Sequence, residues 1–467
     1  MRTLVQLLTT SNHPCVAAGY AERADTKIRR PMRKSWFWAF GGDTARCIVA
    51  SALLSSCIST PEPAPGVEVQ GLVRCAVRVR GIHYVAALLP YEGKLPIGSS
   101  LETGLVEALD EINRAGGVTE QRVPLGLVVC NTKGEPATAV QTAGEVVQLQ
   151  PQVLGMIGPI EVESFDAVAR ETIRLTDVAI VSPVADSPQI QRISDRGNVF
   201  RFGASLDGLA KGMIANIPLE DSVAVFNSKD ADATGLADAV KEKLAANGRL
   251  FYFDSYDTSK ANFQEGFLQQ VENFHADDVV LVGFSADATA ILRESVRRGY
   301  RPPKGWVLPP WLKSKRFVDA VDAAYLEGAA KGAGASFTRR EEHILFSNTY
   351  ENGWTELPDV YIDHFYDATY AIAMAIHRAD STTRIGVRDS LQRQFAPKSA
   401  LGFKIVPGDW STFVSMPKAA EIDFYGATGV LTLNDKGDRA VQTETWTFRD
   451  GTLHSELCVA PGMDTCE

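Results

Sequence analysis

The sequence predicts an α/β protein of two lobes, each a doubly wound parallel sheet. Three observations carry that prediction. Continuous apolar runs of strand length alternate with amphipathic helical patterns, as expected for parallel strands covered on both faces. The alternation runs once, pauses near residue 200 and starts again, so the chain builds the same kind of unit twice. The chain has 467 residues, more than one core of this type needs.

In the first unit, HYVAALLP (83–90) reads as a strand. SSLETGLVEALDEINRAGG follows as a helix, with Ser99 or Ser100 as its cap, Leu101, Leu105, Leu109 and Ile112 on one face, and Gly116 and Gly117 as its stop. VPLGLVVC (123–130) is the next strand, and PATAVQTAGEVVQ (136–148) is a helix with proline in its first turn. VLGMIGP (153–159), SFDAVARETIRLTD (164–177) and VAIVSP (178–183) continue as strand, helix and strand. In the second unit SVAVFNS (222–228), RLFYFDSYD, DDVVLVGF (277–284) and GWVLPP (305–310) are strands separated by helical stretches. The last third is less regular. YIDHFYDATYAIAMAIHRA (361–379) predicts a strongly apolar helix packed on the first lobe. GVLTLNDKGDRAVQTETWTFRDG (429–451) reads as a hairpin whose turn uses Gly437.

Charge is spread unevenly. Residues 1–56 hold 8 Lys+Arg against 3 Asp+Glu, and the remainder holds 39 against 54, a balance of −15. So acidic a body is a poor partner for nucleic acid, whose phosphates are bound by Lys and Arg. The basic front end fits an export leader instead. MRKSWFWAF supplies its charges, with Met32 a candidate start, and CIVASALLSSC (47–57) supplies an apolar stretch too short for the ~20 residues that span a bilayer. LSSC, ending at Cys57, resembles a bacterial lipobox, which implies lipidation of Cys57 and a membrane anchor. Ile58 rather than an aspartate follows it, which by the usual sorting pattern favours the outer membrane. The Pro-rich ISTPEPAPGVEVQG then serves as a tether. Beyond Cys57 four cysteines remain, permitting two disulfides; local pairing, Cys75 with Cys130 and Cys458 with Cys466, is expected.

The search for chemistry returns no HExxH, no phosphate loop and no GxSxG elbow. KGAGAS (331–336) does not complete a dinucleotide fingerprint. His364 and His377 read as packing or solvated residues. DADATG (230–235) imitates the front of a calcium loop but has Lys241 where the twelfth-position glutamate belongs, so it reads as a loop and helix cap. No catalytic constellation, bound metal or cofactor is expected. Six loops at strand C-termini remain, PYEGKLPIGSS, GPIEVES and SPVADSP in the first unit and NSKDADAT, GFSADAT and PPWLKS in the second. Two such loop sets facing one another make a ligand cleft.

Seven stretches in order then resemble a known family: EINRAGGV, IGP five residues before SFDAVA, VSPVADSP, VFRFGAS, YDATYAIAMAI, VPGDW, and IDFYGATG with NDKGD. They are similar to type I periplasmic binding proteins, the leucine/isoleucine/valine-binding group of ABC-transporter receptors, over residues 80–455. The resemblance implies three hinge crossings and discontinuous lobes: leader 1–56, tether 57–80, lobe 1 from 81–203 plus 334–425, and lobe 2 from 204–333 plus 426–467. It also implies a small-molecule ligand and a transporter permease as partners.

Tyr91 is a ligand-binding candidate because it sits just beyond the first strand, and by the same resemblance the further positions are Glu163 and Ser164 after the third and Val184 and Asp186 after the fourth. In the second lobe they are Asp232, Phe284, Ser285 and Trp311. The family's usual pattern is broken at several of them. Asp186 stands where a hydroxyl residue normally binds a ligand carboxylate, and Trp311 where an acid normally binds the ammonium. Asp186 facing the cleft would repel a carboxylate, so a cationic, amide-like or aromatic ligand is expected in place of a branched-chain amino acid. The competing reading makes Asp186, Ser164 and Ser285 helix caps and Tyr91 a rim residue. The rival function is a degenerate-site lipoprotein of the same fold that regulates an envelope partner such as a cell-wall synthase.

Overall fold

The computed structural model describes residues 67–185, 190, 192–249, 251–354, 358–398 and 402–459. The leader, Cys57, Asp186 and Cys466 lie outside the described residues. The first sheet has strand order β1-β3-β2-β4-β5-β6. Its strands are β1 (Cys75–Val79), β2 (His83–Leu89), β3 (Leu125–Asn131), β4 (Val153–Ile157), β5 (Ala179–Ser182) and β6 (Val199–Arg201). Their neighbours pair in parallel except β1, which lies antiparallel on β3. The connections are α1 (Gly98–Arg114), α2 (Pro136–Gln148) and α3 (Val162–Leu175). β2 and β4 are buried on both faces because helices cover both sides, which is why their sequences read as unbroken apolar runs.

The second sheet has order β16-β15-β11-β10-β9-β7-β8. Its parallel strands are β7 (Val223–Ser228), β8 (Phe251–Tyr256), β9 (Asp278–Val282), β10 (Gly305–Leu308) and β11 (Ala330–Gly334). Around them lie α4 (Leu206–Ala215), α5 (Ala231–Ala246), α6 (Phe263–Phe274), α7 (Ser285–Arg298), α8 (Lys315–Val321) and α9 (Ala323–Leu326). The antiparallel pair β15 (Thr443–Arg449) and β16 (Thr452–Val459) closes the β11 edge. Between the two halves of that sheet's sequence come α10 (Glu341–Trp354), α11 (Ile362–Arg378), α12 (Arg384–Phe395), β12 (Phe403–Ile405), α13 (Trp410–Ser415), β13 (Ile422–Gly426) and β14 (Gly429–Val430). The chain therefore passes between the lobes three times: after β6, after β11 and after β14.

The apolar helix expected at 361–379 is α11, and its residues Ile362 to His377 are all buried. A mostly apolar helix whose few polar side chains find partners inside has no solvent face to offer, so it packs within the protein, here against α1, α12 and β4. Burial of Phe365, Ile372 and Ile376 contributes about 1.5–3 kcal/mol each. His364 bonds Asp363 and His377 packs on Phe413, so both are interior packing residues. Cys75 and Cys130 are disulfide-bonded, as expected, and Cys458 is disulfide-bonded too.

Four expectations are corrected. Residues 429–451 are not one hairpin. The turn at NDKGD is real, with Gly437 at φ +73° and a Cβ there 2.6 Å from the Val199 carbonyl. Its flanks, however, pair with different partners, β14 with β13 and β15 with β11 and β16, because this stretch is the third crossing. The hairpin proper turns at Asp450 and Gly451. The α1 cap is Ile97, with no side-chain capping bond, and Ser99 and Ser100 lie inside the helix. Ser164 likewise lies inside α3, with its hydroxyl buried and unpartnered. Ser285 is the first residue of α7, whose N-cap is Phe284 and has no side-chain capping bond.

Candidate functional site

In sheets of this type, ligands settle beyond the strand C-termini where the strand order reverses. In the first sheet that place lies between β2 and β4, and in the second between β7 and β9. The loops leaving these strands meet across one cavity. From the first lobe come Leu95, Ile160, Glu161, Val162, Val184 and Ala185. From the second come Leu206, Leu209, Asp232, Phe284 and Trp311, with Ala204 from the first crossing and Tyr361 from the start of α11. The unfilled volume is about 530 Å³, but the centre of a water molecule can visit only about 50 Å³ of it, so the lobes stand close together.

One wall is aromatic. Trp311 and Phe284 stack with ring centres 5.6 Å apart, and the Trp311 indole N–H donates to the Gly283 carbonyl at 2.7 Å, which fixes the ring. Lys94 holds its ammonium 5.1 Å from the centre of the Phe284 ring.

The mouth is polar and crosses the lobes. Lys94, in the loop after β2, pairs with Asp230 at 2.6 Å and Asp232 at 2.8 Å, both at the start of α5. Asp230 also caps α5, accepting the Asp232 N–H at 3.0 Å, which agrees with the cap reading of DADATG. The other Asp232 oxygen accepts the backbone N–H of Val162, the first residue of α3, at 2.8 Å. A helix N-terminus is a ready anion site. Here a carboxylate of the opposite lobe occupies it. Burial pushes the Asp232 carboxyl above its usual range, and Lys94 opposes that rise. Burial would lower the Lys94 ammonium, but the two aspartates outweigh it and leave it raised.

Glu161 completes the lining and differs from its neighbours. It is 3% exposed, and neither carboxylate oxygen has a hydrogen-bond partner. Burial, reinforced by the negative charge of Asp232, pushes it up to about 7, against the opposing pull of its own backbone N–H and of Lys94. Tyr361 faces the same space and holds a left-handed backbone, φ +69°, a conformation costly for a bulky residue and concentrated at functional sites.

Of the positions expected from sequence, Val184, Asp232, Phe284 and Trp311 come together in this lining. Tyr91 does not: its hydroxyl bonds Glu102, which also pairs with Arg78. Glu163 faces an adjoining groove between α3 and α5 that shares Val162, Leu206 and Asp232 with the cavity, and neither Ser164 nor Ser285 is among the cavity's lining residues. Glu161, Lys94 and Tyr361 were not singled out. The available signals were an acid just after GPI, a lone lysine in the first of the six loops, and the first aromatic of the apolar helix.

Residues 84–406 match the model of a family described as periplasmic binding protein. A Leu/Ile/Val-binding protein, BraC3, of Rhizobium johnstonii is 31% identical over 32% of this chain and 40% of its own length. An amino acid binding protein of Pseudomonas aeruginosa is 24% identical over 50% and 60%. The chain thus spans about half the length of the curated relatives it matches. Among solved structures, the branched-chain amino acid substrate-binding protein LivJ of Streptococcus pneumoniae, in complex with isoleucine, superposes with TM-score 0.66 at 17% identity, over 81% of this chain and 99% of that one. A solute binding protein of R. palustris in complex with benzoate superposes with TM-score 0.62 at 17% identity, over 82% and 98%. These likenesses show the fold, and with the family match over most of the chain they place this protein, a binding protein and not an enzyme, among the periplasmic binding proteins.

Proposed function

We propose that the chain is the extracytoplasmic solute receptor of an ABC importer, closing its two lobes on a small molecule and passing it to a permease. Lipidated Cys57 would hold it at the membrane through the tether. One observation carries this reading: the strand ends of both sheets face a single cavity with a stacked aromatic wall. The relatives named for leucine, isoleucine and valine, and the benzoate-bound neighbour, support a small organic ligand.

An ordinary branched-chain amino acid is not the expected ligand. Its carboxylate needs free donors or a free cation, yet Lys94 and the Val162 N–H are both engaged by aspartates. A ligand carboxylate at ~4 Å from Asp232 would meet a repulsion of at most about 4 kcal/mol at an effective dielectric of ~20, which the paired Lys94 offsets in part. An apolar or aromatic body with an amide or other donor group suits the lining better. Mass spectrometry of small molecules released from gently purified, then denatured protein tests this. A released small molecule supports the receptor, and leucine bound at micromolar affinity by calorimetry refutes the ligand class.

The second reading, a lobe pair that regulates an envelope partner, draws on the contacts by which Lys94 and Asp232 join the lobes with the protein's own groups. Specific retention of an envelope enzyme in pull-downs, with no small molecule released, would favour it.

A further inference from the structure

We propose that Glu161 is the ligand-recognition group of this cavity and that the ligand is a small amine carried as a cation on an aromatic or apolar body. The inference rests on the receptor reading and deepens it. It follows from a count of what the lining has left to offer. Lys94 is held by Asp230 and Asp232, the Trp311 N–H by the Gly283 carbonyl, and the Val162 N–H by Asp232. Tyr361 contributes a hydroxyl able to donate or accept. Among the described residues of the lining, the charged side chain with no hydrogen bond to another residue is Glu161, an acceptor on both oxygens once ionised.

A buried carboxylate without partners is costly, and a ligand that supplies an N–H donor and a positive charge removes that cost. The surrounding charges agree in sign. Among the described residues, the groups facing Glu161 are Asp232 and Asp230 from α5 and Lys94 from the loop after β2. Two aspartates against one lysine leave the neighbourhood negative even before Glu161 ionises. Tyr361, from α11, is held neutral by burial and by Asp232. The rest of the lining, Leu95, Ile160, Val184, Leu206, Phe284 and Trp311, is apolar and suits a hydrocarbon or ring body.

The proposal also fixes a pH dependence. The unliganded Glu161 carboxyl titrates near 7, and a cationic ligand binds its ionised form. Affinity for an amine therefore rises with pH through that region.

The test is calorimetric titration of the purified protein with benzylamine and phenethylamine, with benzamide, benzoate and leucine as matched probes. An amine is expected to bind at least about tenfold more tightly than benzamide or benzoate. Glu161→Gln is expected to weaken the amine by about tenfold or more and to narrow its advantage over benzamide, its melting temperature confirming the fold. The wild-type protein supplies a reading without substitution, namely weaker amine binding near roughly pH 5.5 than near roughly pH 8. Benzamide binding as tightly as benzylamine, an unchanged E161Q, or a reversed pH trend would overturn the assignment. If neither amine binds while another probe does, the cation assignment falls and the receptor reading stands. If no probe binds and the purified protein releases no small molecule, both fall.

Discussion

The ammonium of Lys94 lies 2.8 Å from the Asp232 carboxylate, and the two residues belong to opposite lobes. Asp232 accepts in addition from the N-terminus of α3, so one carboxylate from the second lobe engages two elements of the first. Lys94→Ala leaves Asp230 and Asp232 facing each other without their cation. Breaking a half-buried pair of this kind is expected to cost about 2 kcal/mol in urea denaturation. Small-angle scattering is expected to report a wider lobe separation. An unchanged radius of gyration in the variant would show that other contacts hold the lobes together.

Glu161 makes stability depend on pH. Its carboxyl has an ordinary value of 4.5 and titrates near 7 when folded. A raised carboxyl favours the folded state fully below the lower value, and that contribution is lost as pH rises through the upper one. The loss amounts to about 3 kcal/mol at most. Unliganded protein is expected to melt at progressively lower temperature between roughly pH 5 and pH 8, and Glu161→Gln to flatten that slope. Melting curves across this range check both statements.

Asp367 holds the third crossing to α11. Its carboxylate accepts from the backbone N–H groups of Ala427 at 2.7 Å and Thr428 at 2.9 Å, and lies 3.9 Å from buried Arg439. Asp367→Ala strands those donors and leaves a buried guanidinium without its counter-charge, at an expected cost of about 3–5 kcal/mol. Asp367→Asn, which keeps the shape and removes the charge, is expected to cost less. Urea midpoints for the two variants give the comparison.

The Cys75–Cys130 link closes a loop with a sequence separation of 55. A loop of that length restricts the unfolded chain by about 4 kcal/mol in the chain-entropy account. Replacing both cysteines by serine is expected to lower stability by up to that amount while leaving amine binding unchanged, because neither β1 nor β3 supplies a residue of the cavity lining. A loss of binding alongside the loss of stability would show that the edge strand supports the cavity.

Elements covered on both faces were readable from the sequence, because burial on every side writes itself as an unbroken apolar run; β2, β4 and α11 are examples. β1 was not readable, because CAVRV is an edge strand that pairs antiparallel and stays partly exposed, with a charged residue in it. Nor was β11, where AKGAG carries no strand signature. A Cβ at its Gly332 would stand 2.2 Å from the Leu308 carbonyl and 2.9 Å from the Trp446 ring, contacts made over separations that no local window sees. The loops that meet at the cavity could be named, since they end the parallel strands. Which side chains within them converge could not be named. Lys94 and Asp232 meet across 138 positions, and the isolation of Glu161 is a property of its surroundings alone.

Arg201, at the end of β6, bonds Asp438, and the backbones of the two segments exchange hydrogen bonds on either side of that contact: Arg201 donates to Gly437, and Arg439 donates to Arg201. The first and third crossings are therefore tied side by side by one parallel bridge. Were the lobes to swing, that tie would make the two crossings bend as a single hinge.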